Sequence, residues 1–244
     1  MTRGMALGLP RRQFLKRGCG CALGIGIAAS GGLAARAASH GPGRCGLTPD
    51  EALQALKDGN AAYRAELSAC TAQGQARRIE IAAGQAPFCV LVSCSDSRVA
   101  AEIVFGRGLG EMFIVRNASN TIDTTALGSI EYAVEHLGTP LIVVMGHSRC
   151  GAVEAAVSLV DSNAVFPEAI EHMLGPIVPA VLAVREKPGD RVDNAVRANV
   201  DRTVARLRLG AEPIIAGPLK AGALRVVGAS YSLDTGAVDF FNVG

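Results

Sequence analysis

The sequence predicts an α/β fold: a single domain with a central, mainly parallel β-sheet flanked by helices and closed by a C-terminal β-hairpin. Three observations predict it. The runs "PFCVLVSC", "EMFIVRN" and "PLIVVMGH" are short and apolar without alternation, as strands buried on both faces are. Stretches with apolar residues at helical spacing separate them, and strands alternating with helices imply a parallel sheet. Near the end, "LRVVGASYSLDTGAVDFFNV" reads as two strands joined by a turn at Asp234 to Gly236.

In chain order, "GLTPDEALQALKDGNAAYRAEL" predicts the first helix. Thr48 or Asp50 can cap it, Pro49 suits an early helical position, and Leu53, Leu56 and Tyr63 fall near one face. "QARRIEIAAGQ" predicts a second, short helix closed by Gly84. Two strands follow, "PFCVLVSC" and "EMFIVRNA", each expected to be buried on both faces. "TTALGSIEYAVEHLG" predicts a helix with Leu127, Ile130, Val134 and Leu137 inward and Gly138 at its end. "PLIVVMGH" is the third strand, and "CGAVEAAVSLV" opens the next helix. Pro167, Pro176, Pro179 and Pro188 punctuate short helices after it. "DRVDNAVRANVDRTVARLRLG" predicts one long helix with Val192, Val196, Val200, Val204 and Leu207 facing in.

The chain has 244 residues, 49% of them hydrophobic and 19% charged, which suits a globular protein and excludes a disordered one. Trp is absent, so the core rests on Val, Ile, Leu and Ala. The net charge of +2 is carried by the start of the chain. There "RRQFLKRG" (Arg11 to Gly18) is a twin-arginine pattern, followed by a weakly apolar stretch and "ARA" ending at Ala37. Residues 1–37 are therefore expected to be a twin-arginine signal peptide read by the export machinery, and residues 38–244 the functional domain. The expected destination is periplasmic or extracellular. The apolar stretch is too short and too rich in Gly and Ala for a membrane span, and no other segment qualifies. Cleavage removes six of the 24 basic residues and none of the 22 acidic ones, leaving 18 against 22, a net of −4. No basic stripe remains to bind nucleic acid. Five cysteines remain (Cys45, Cys70, Cys89, Cys94 and Cys150), an odd number that cannot all pair within one chain.

The chemistry concentrates at two places. "SCSDSR" puts Cys94, Asp96 and Arg98 at alternate positions at the carboxyl end of the first strand. "GHSRCG" puts His147 at the carboxyl end of the third strand and Cys150 at the start of a helix. Ligands of open parallel sheets bind outside the carboxyl ends of the strands. If these two strands are neighbours, Cys94, His147 and Cys150 converge. Two thiolates and an imidazole are a zinc set, with a fourth position left for water or a carboxylate. If the chain stays extended past the first strand, the side chains of Cys94, Asp96 and Arg98 share one side. "GHSRCG" also imitates the nucleophile elbow of serine hydrolases, but Cys150 stands where that motif has Gly, and no later loop offers a base. "GRGLG" has the wrong spacing for a dinucleotide fingerprint.

Together "CSDSRV", "GEMFIVRNASN", "GSIEYAVEHLG", "GHSRCGAV" and "VVGASYSLDTGAV" resemble the β-class carbonic anhydrases, in family order from about Leu47 to the C-terminus. The resemblance implies one zinc per chain on Cys94, His147 and Cys150. It implies a dyad of Asp96 and Arg98 beside the metal, with Asp96 a possible alternative fourth ligand. It implies reversible hydration of CO2 to bicarbonate and a proton by attack of zinc-bound hydroxide, in a homodimer or higher homo-oligomer with its site near the subunit interface. Gln85, Phe113, Ala118 and Tyr132 match the substrate-pocket positions of the plant-like subclass. A Trp that serves a bicarbonate site in switching members of the family has no counterpart here, since the chain has no Trp. The same metal set would serve a related hydrolase of carbonyl sulfide or carbon disulfide. A zinc-stabilised binding protein would need neither the dyad nor Gln85.

Overall fold

The computed structural model describes residues 45–67, 73–210 and 213–243. Residues 1–37, expected to be the export signal, and Cys70 lie outside the described residues, and with them any pairing of Cys70 with Cys45.

The sheet has the strand order β2-β1-β3-β4-β5. Its strands are β1 (Cys89–Cys94), β2 (Met112–Asn117), β3 (Leu141–His147), β4 (Arg225–Tyr231) and β5 (Val238–Phe241). The first four are parallel, and β5 returns antiparallel to β4 as the expected hairpin. β1 and β3 are fully buried throughout. β2 is not, contrary to the expectation from its apolar run: its residues are half-buried and Arg116 is exposed. It is the edge strand, with no further strand beside it among the described residues.

Helices α1 (Pro49–Arg64) and α3 (Ala101–Val104) pack on one face of the sheet, with Leu53, Leu56, Leu91, Val143 and Val227 in the same core. α1 starts at a capping box. The Thr48 side chain accepts from the Glu51 amide, and the Glu51 carboxylate accepts from the Thr48 amide. α2 (Gln75–Ile81) ends three residues before Gly84. α4 (Thr124–Glu135), α8 (Arg191–Leu209) and α9 (Pro213–Lys220) cover the other face through Ile130, Val200, Val204 and Ile215. The four-residue α3 and α9, which holds Pro218 inside it, were not predicted. α5 (Gly151–Ser162), α6 (Glu168–Leu174) and α7 (Val178–Ala183) form a third core with Cys94, Cys150 and Val196. No helix among the described residues is long and apolar enough to cross a membrane.

β1 lies between β2 and β3. Successive connections from it therefore leave in opposite directions, which opens a crevice at the carboxyl ends of β1 and β3. Gly146 lets α8 close over that crevice. A Cβ at this position would lie 2.7 Å from Val196 Cγ1 and 3.0 Å from Val200 Cγ2.

Candidate metal centre

The topology meets the condition on which the motifs depend, because β1 and β3 are neighbours. Cys94 ends β1, His147 ends β3, and Cys150 is the N-cap of α5. Their donor atoms all lie within 4.8 Å of one another. All three residues are buried.

His147 carries the clearest mark of a ligand. Nδ1 lies 3.0 Å from the Ser148 carbonyl and so donates to it. That fixes the proton on Nδ1 and leaves a lone pair on Nε2. Nε2 is buried without a hydrogen-bond partner among the described residues. Asp96 Oδ2 lies 3.8 Å from it. A bare buried imidazole nitrogen is costly unless something occupies it. Two sulfurs within 4.8 Å specify a thiophilic cation.

The two thiols behave as a pair. The Cys150 thiol beside it, aided by the Ser119 amide 3.4 Å away, holds the Cys94 thiol well below its ordinary value against the effect of burial. Hydrogen bonding to Cys94, with burial added, pushes Cys150 up. A divalent cation held by both sulfurs would displace the remaining proton and leave two thiolates. The donor set fits zinc.

Asp96 stands beside the trio without being one of it. Arg98 fixes it with two side-chain bonds, Nε to Oδ1 at 2.9 Å and Nη2 to Oδ2 at 2.7 Å. The hydrogen-bonded guanidinium holds the Asp96 carboxyl well below the usual carboxylate range. The pair does not meet through extended chain as expected. The ladder continues one residue past β1, where the Ser95 amide donates to the Asn117 carbonyl. The chain then turns at Ser97–Arg98: the Val99 amide donates to the Asp96 carbonyl, and the Arg98 amide to Asp96 Oδ1 at 2.9 Å. An aspartate that bonds the amide two residues on makes its own turn, and that preference overrides the alternation.

Sequence reasoning missed three supports. Arg116 of β2 donates to the carbonyls of Cys94 and Asp96 at 3.0 and 2.9 Å, holding the two residues in one frame. Ser119, whose amide faces Cys94 Sγ, has a φ of +64° and is anchored by buried Asn199 Nδ2 at 2.9 Å to its carbonyl. Arg149, between His147 and Cys150, has a φ of +52°. Arg116 was visible only as a basic residue in an apolar run, and nothing in the sequence marks the other two.

The pocket residues divide. Ala118 follows β2 directly and lies beside Ser119 at the metal trio. Gln85 lies before the opposite end of β1, roughly 17 Å of strand away, in a hollow with Arg77, Glu80 and Gly110. Phe113 pairs with Val90 near the start of β2, and its ring is 6.3 Å from that of Tyr132, which is 48% exposed. One chain does not gather Gln85, Phe113 and Tyr132 at its own metal trio.

Comparison with known proteins agrees with this geometry. The model of the family described as "Carbonic anhydrase" matches residues 89–238. A carbonic anhydrase of Mycolicibacterium smegmatis is 44% identical over 191 residues, 78% of this chain and 92% of the relative. Carbonic anhydrase 2 of Mycobacterium tuberculosis is 42% identical over 188 residues, 77% of this chain and 90% of the relative. Among solved structures, one from a study of two tetrameric β-carbonic anhydrases of Sordaria macrospora aligns with a TM-score of 0.63 and 27% identity. It covers 78% of this chain and 96% of that one. The Coccomyxa β-carbonic anhydrase in complex with acetazolamide aligns with a TM-score of 0.58 and 26% identity, covering 78% and 84%. A buried Cys-His-Cys trio at the switch point of this sheet, in a chain so matched, leaves one assignment: the chain belongs to the β class of the carbonic anhydrase family, zinc enzymes that hydrate carbon dioxide reversibly.

Proposed function

We propose that residues 38–244 hydrate CO2 at one zinc per chain held by Cys94, His147 and Cys150, with Asp96 and Arg98 as the catalytic dyad. The observation that carries these roles is the bare, buried Nε2 of His147 facing two sulfurs, with an arginine-fixed carboxylate alongside. Zinc held by these ligands would supply an activated water, whose pKa falls from 15.7 to about 7 in the three-histidine carbonic anhydrases. Two thiolates would give the metal more charge than imidazoles do, so the nucleophile would need help from the chain. Asp96, ionised, accepts its hydrogen bond and turns a lone pair toward the substrate. Arg98 keeps Asp96 in that orientation. Ala118 leaves room for a small apolar substrate, and Gln85 donates to the oxygen on which bicarbonate charge develops.

Within the family we assign the plant-like subclass, in which the aspartate stays off the metal. The bonds from Arg98 to both Asp96 oxygens favour this, as does the absence of Trp. The test is stopped-flow CO2 hydration by the zinc-loaded mature protein from pH 6 to 9. The expected profile follows one ionisation near or somewhat above pH 7, and added bicarbonate acts only as product. No hydration at any pH would overturn the function. A steep cooperative loss towards acid, deepened by bicarbonate, would overturn the subclass.

We also propose that the enzyme is a homodimer or larger, in which a second copy brings Gln85, Phe113 and Tyr132 to each metal trio. Their separation from the trio within one chain and the half-covered edge strand β2 support this, as does the tetrameric state of the Sordaria enzymes. Chains carrying Cys150→Ser and chains carrying Gln85→Ala, each impaired alone, should regain activity when unfolded and refolded together. Each mixed pair then holds one site with every group intact. No regain, with mixed oligomers verified by mass spectrometry, would place Gln85 at its own chain's metal.

Residues 1–37 we assign as a twin-arginine export signal and the mature enzyme to the periplasm or the extracellular space, on the order of "RRQFLK", apolar run and "ARA". Arg11→Lys with Arg12→Lys should leave the chain uncleaved in the cytoplasm. Normal processing of that variant would sink the assignment.

A further inference from the structure

The turn between two of the metal donors is held in a conformation its residue does not favour. Arg149 has a φ of +52°, in the left-handed region where a Cβ crowds the backbone. It belongs to the turn Ser148–Arg149, directly between His147 and Cys150. Non-glycine residues persist in that region only when the surroundings hold them there. Here the surroundings come from the turn of the β4–β5 hairpin. Arg149 Nη1 donates to Asp234 Oδ2 at 2.7 Å, and Nη2 to Asp234 Oδ1 at 2.8 Å. The next residue back ties the same two turns together. The Ser148 amide donates to the Tyr231 carbonyl at 2.9 Å, and the Ser148 hydroxyl accepts from the Leu233 amide at 3.0 Å.

The turn also has a catalytic neighbour. The Arg149 carbonyl accepts from Arg98 Nη2 at 3.3 Å, while that same Nη2 bonds Asp96 Oδ2. The direction of this carbonyl depends on the backbone angles of Arg149. The Ser148 carbonyl that fixes the His147 tautomer belongs to the same two peptides.

We propose that Arg149 and Asp234 are positioning residues: their paired side chains hold the left-handed turn that aims Cys150 at the metal and the Arg149 carbonyl at Arg98. This deepens the reading of the trio as a CO2-hydrating zinc centre and rests on it. An exposed ion pair contributes little to global stability, and Arg149 and Asp234 are 52% and 65% exposed. But this pair is a two-bonded fork, the strongest arginine–carboxylate geometry, and its task is to hold one residue, not the fold. Losing it lets the turn relax while the sheet stays intact.

Glycine separates this from a plain charge effect, because it adopts the left-handed region without cost. Four zinc-loaded variants are compared with wild type: Arg149→Ala, Asp234→Ala, Arg149→Gly, and Arg149→Gly with Asp234→Ala. Two quantities are read: the rate of zinc loss to a chelator, and kcat/KM for CO2 hydration. Arg149→Ala and Asp234→Ala should each lose zinc about 10-fold faster and hydrate CO2 about 10-fold more slowly, the low end for residues behind metal ligands. Arg149→Gly should lie well between Arg149→Ala and wild type in both, and adding Asp234→Ala to it should change nothing more. If Arg149→Gly is as impaired as Arg149→Ala, the charge matters and not the turn, and the proposal fails. If none of the variants moves either quantity, the pair is a surface contact only, and the proposal fails again. If the zinc-loss rates follow the predicted order in a protein that hydrates no CO2, the clamp stands and the CO2 reading falls.

Discussion

Cys150→Ser should lose zinc, and with it CO2 hydration should fall by on the order of 1000-fold or more, since enzymes typically accelerate by about 10⁶-fold or more and the activation of water leaves with the metal. The trio explains why no partial binding is expected. Its donors converge within 4.8 Å, and a catalytic zinc has three protein ligands and one open position. Serine at 150 offers a neutral hydroxyl in a buried site where the cation needs a thiolate. Cys94→Ser and His147→Ala should do the same. Cys45→Ser is the control, because Cys45 is outside the trio and its sulfur accepts from the Leu47 amide. Metal analysis and stopped-flow kinetics give the main readout. Thermal unfolding gives another. A ligand that binds only the folded state raises the apparent Tm, so a chelator should lower the Tm of wild type and leave that of Cys150→Ser where it is. Full zinc occupancy in Cys150→Ser would remove Cys150 from the metal site.

The trio was legible in the sequence because its residues fall at the ends of two fully buried strands. Unbroken apolar runs locate such strands, and a parallel sheet directs their carboxyl ends to one edge. The capping box at Thr48 and Glu51 was half visible for a similar reason: its residue types at that spacing do little else. What could not be read depends on backbone shape. Ser119 and Arg149 do their work at φ of +64° and +52°, and neither residue type announces that conformation as glycine would. Arg116 acts on two carbonyls, which carry no sequence. Asp96 was expected to meet Arg98 by strand alternation and instead meets it across a turn that it makes itself. The run "EMFIVRN" predicts a buried strand, yet β2 is an edge. Its apolar residues suit the second copy proposed above, and under that proposal the same copy brings Gln85, Phe113 and Tyr132 to the trio.

Arg98→Ala should keep its zinc and lose about 10- to 100-fold in kcat/KM. Arg98 touches no donor atom of the trio. It fixes Asp96 through Nε and Nη2, and its half-exposed head means that water screens much of the bare attraction. Its contribution is therefore direction. Without it Asp96 keeps the bond from the residue 98 amide, but its carboxylate can rotate away from the nucleophile. Lysine should rescue little, because a point charge cannot reproduce a two-pronged fork. The pH dependence separates direction from charge. Arg98 lowers the Asp96 pKa, and a depressed acid stabilises the fold above its unfolded value, near 4, and loses that stabilisation as pH falls through the folded one. Removing the Arg98 side chain raises that pKa towards the ordinary value, while the bond from the residue 98 amide still favours the charged form, so Asp96 should stay ionised from pH 6 to 9 in both proteins. The ratio of wild-type to variant rates should then be constant over that range, while the stability advantage of wild type should disappear only in acid, below about pH 4. A ratio that shrinks steadily as pH rises would mean that Arg98 works by keeping Asp96 charged. An unchanged rate at pH 7 to 8 would mean that the dyad has no part in the reaction.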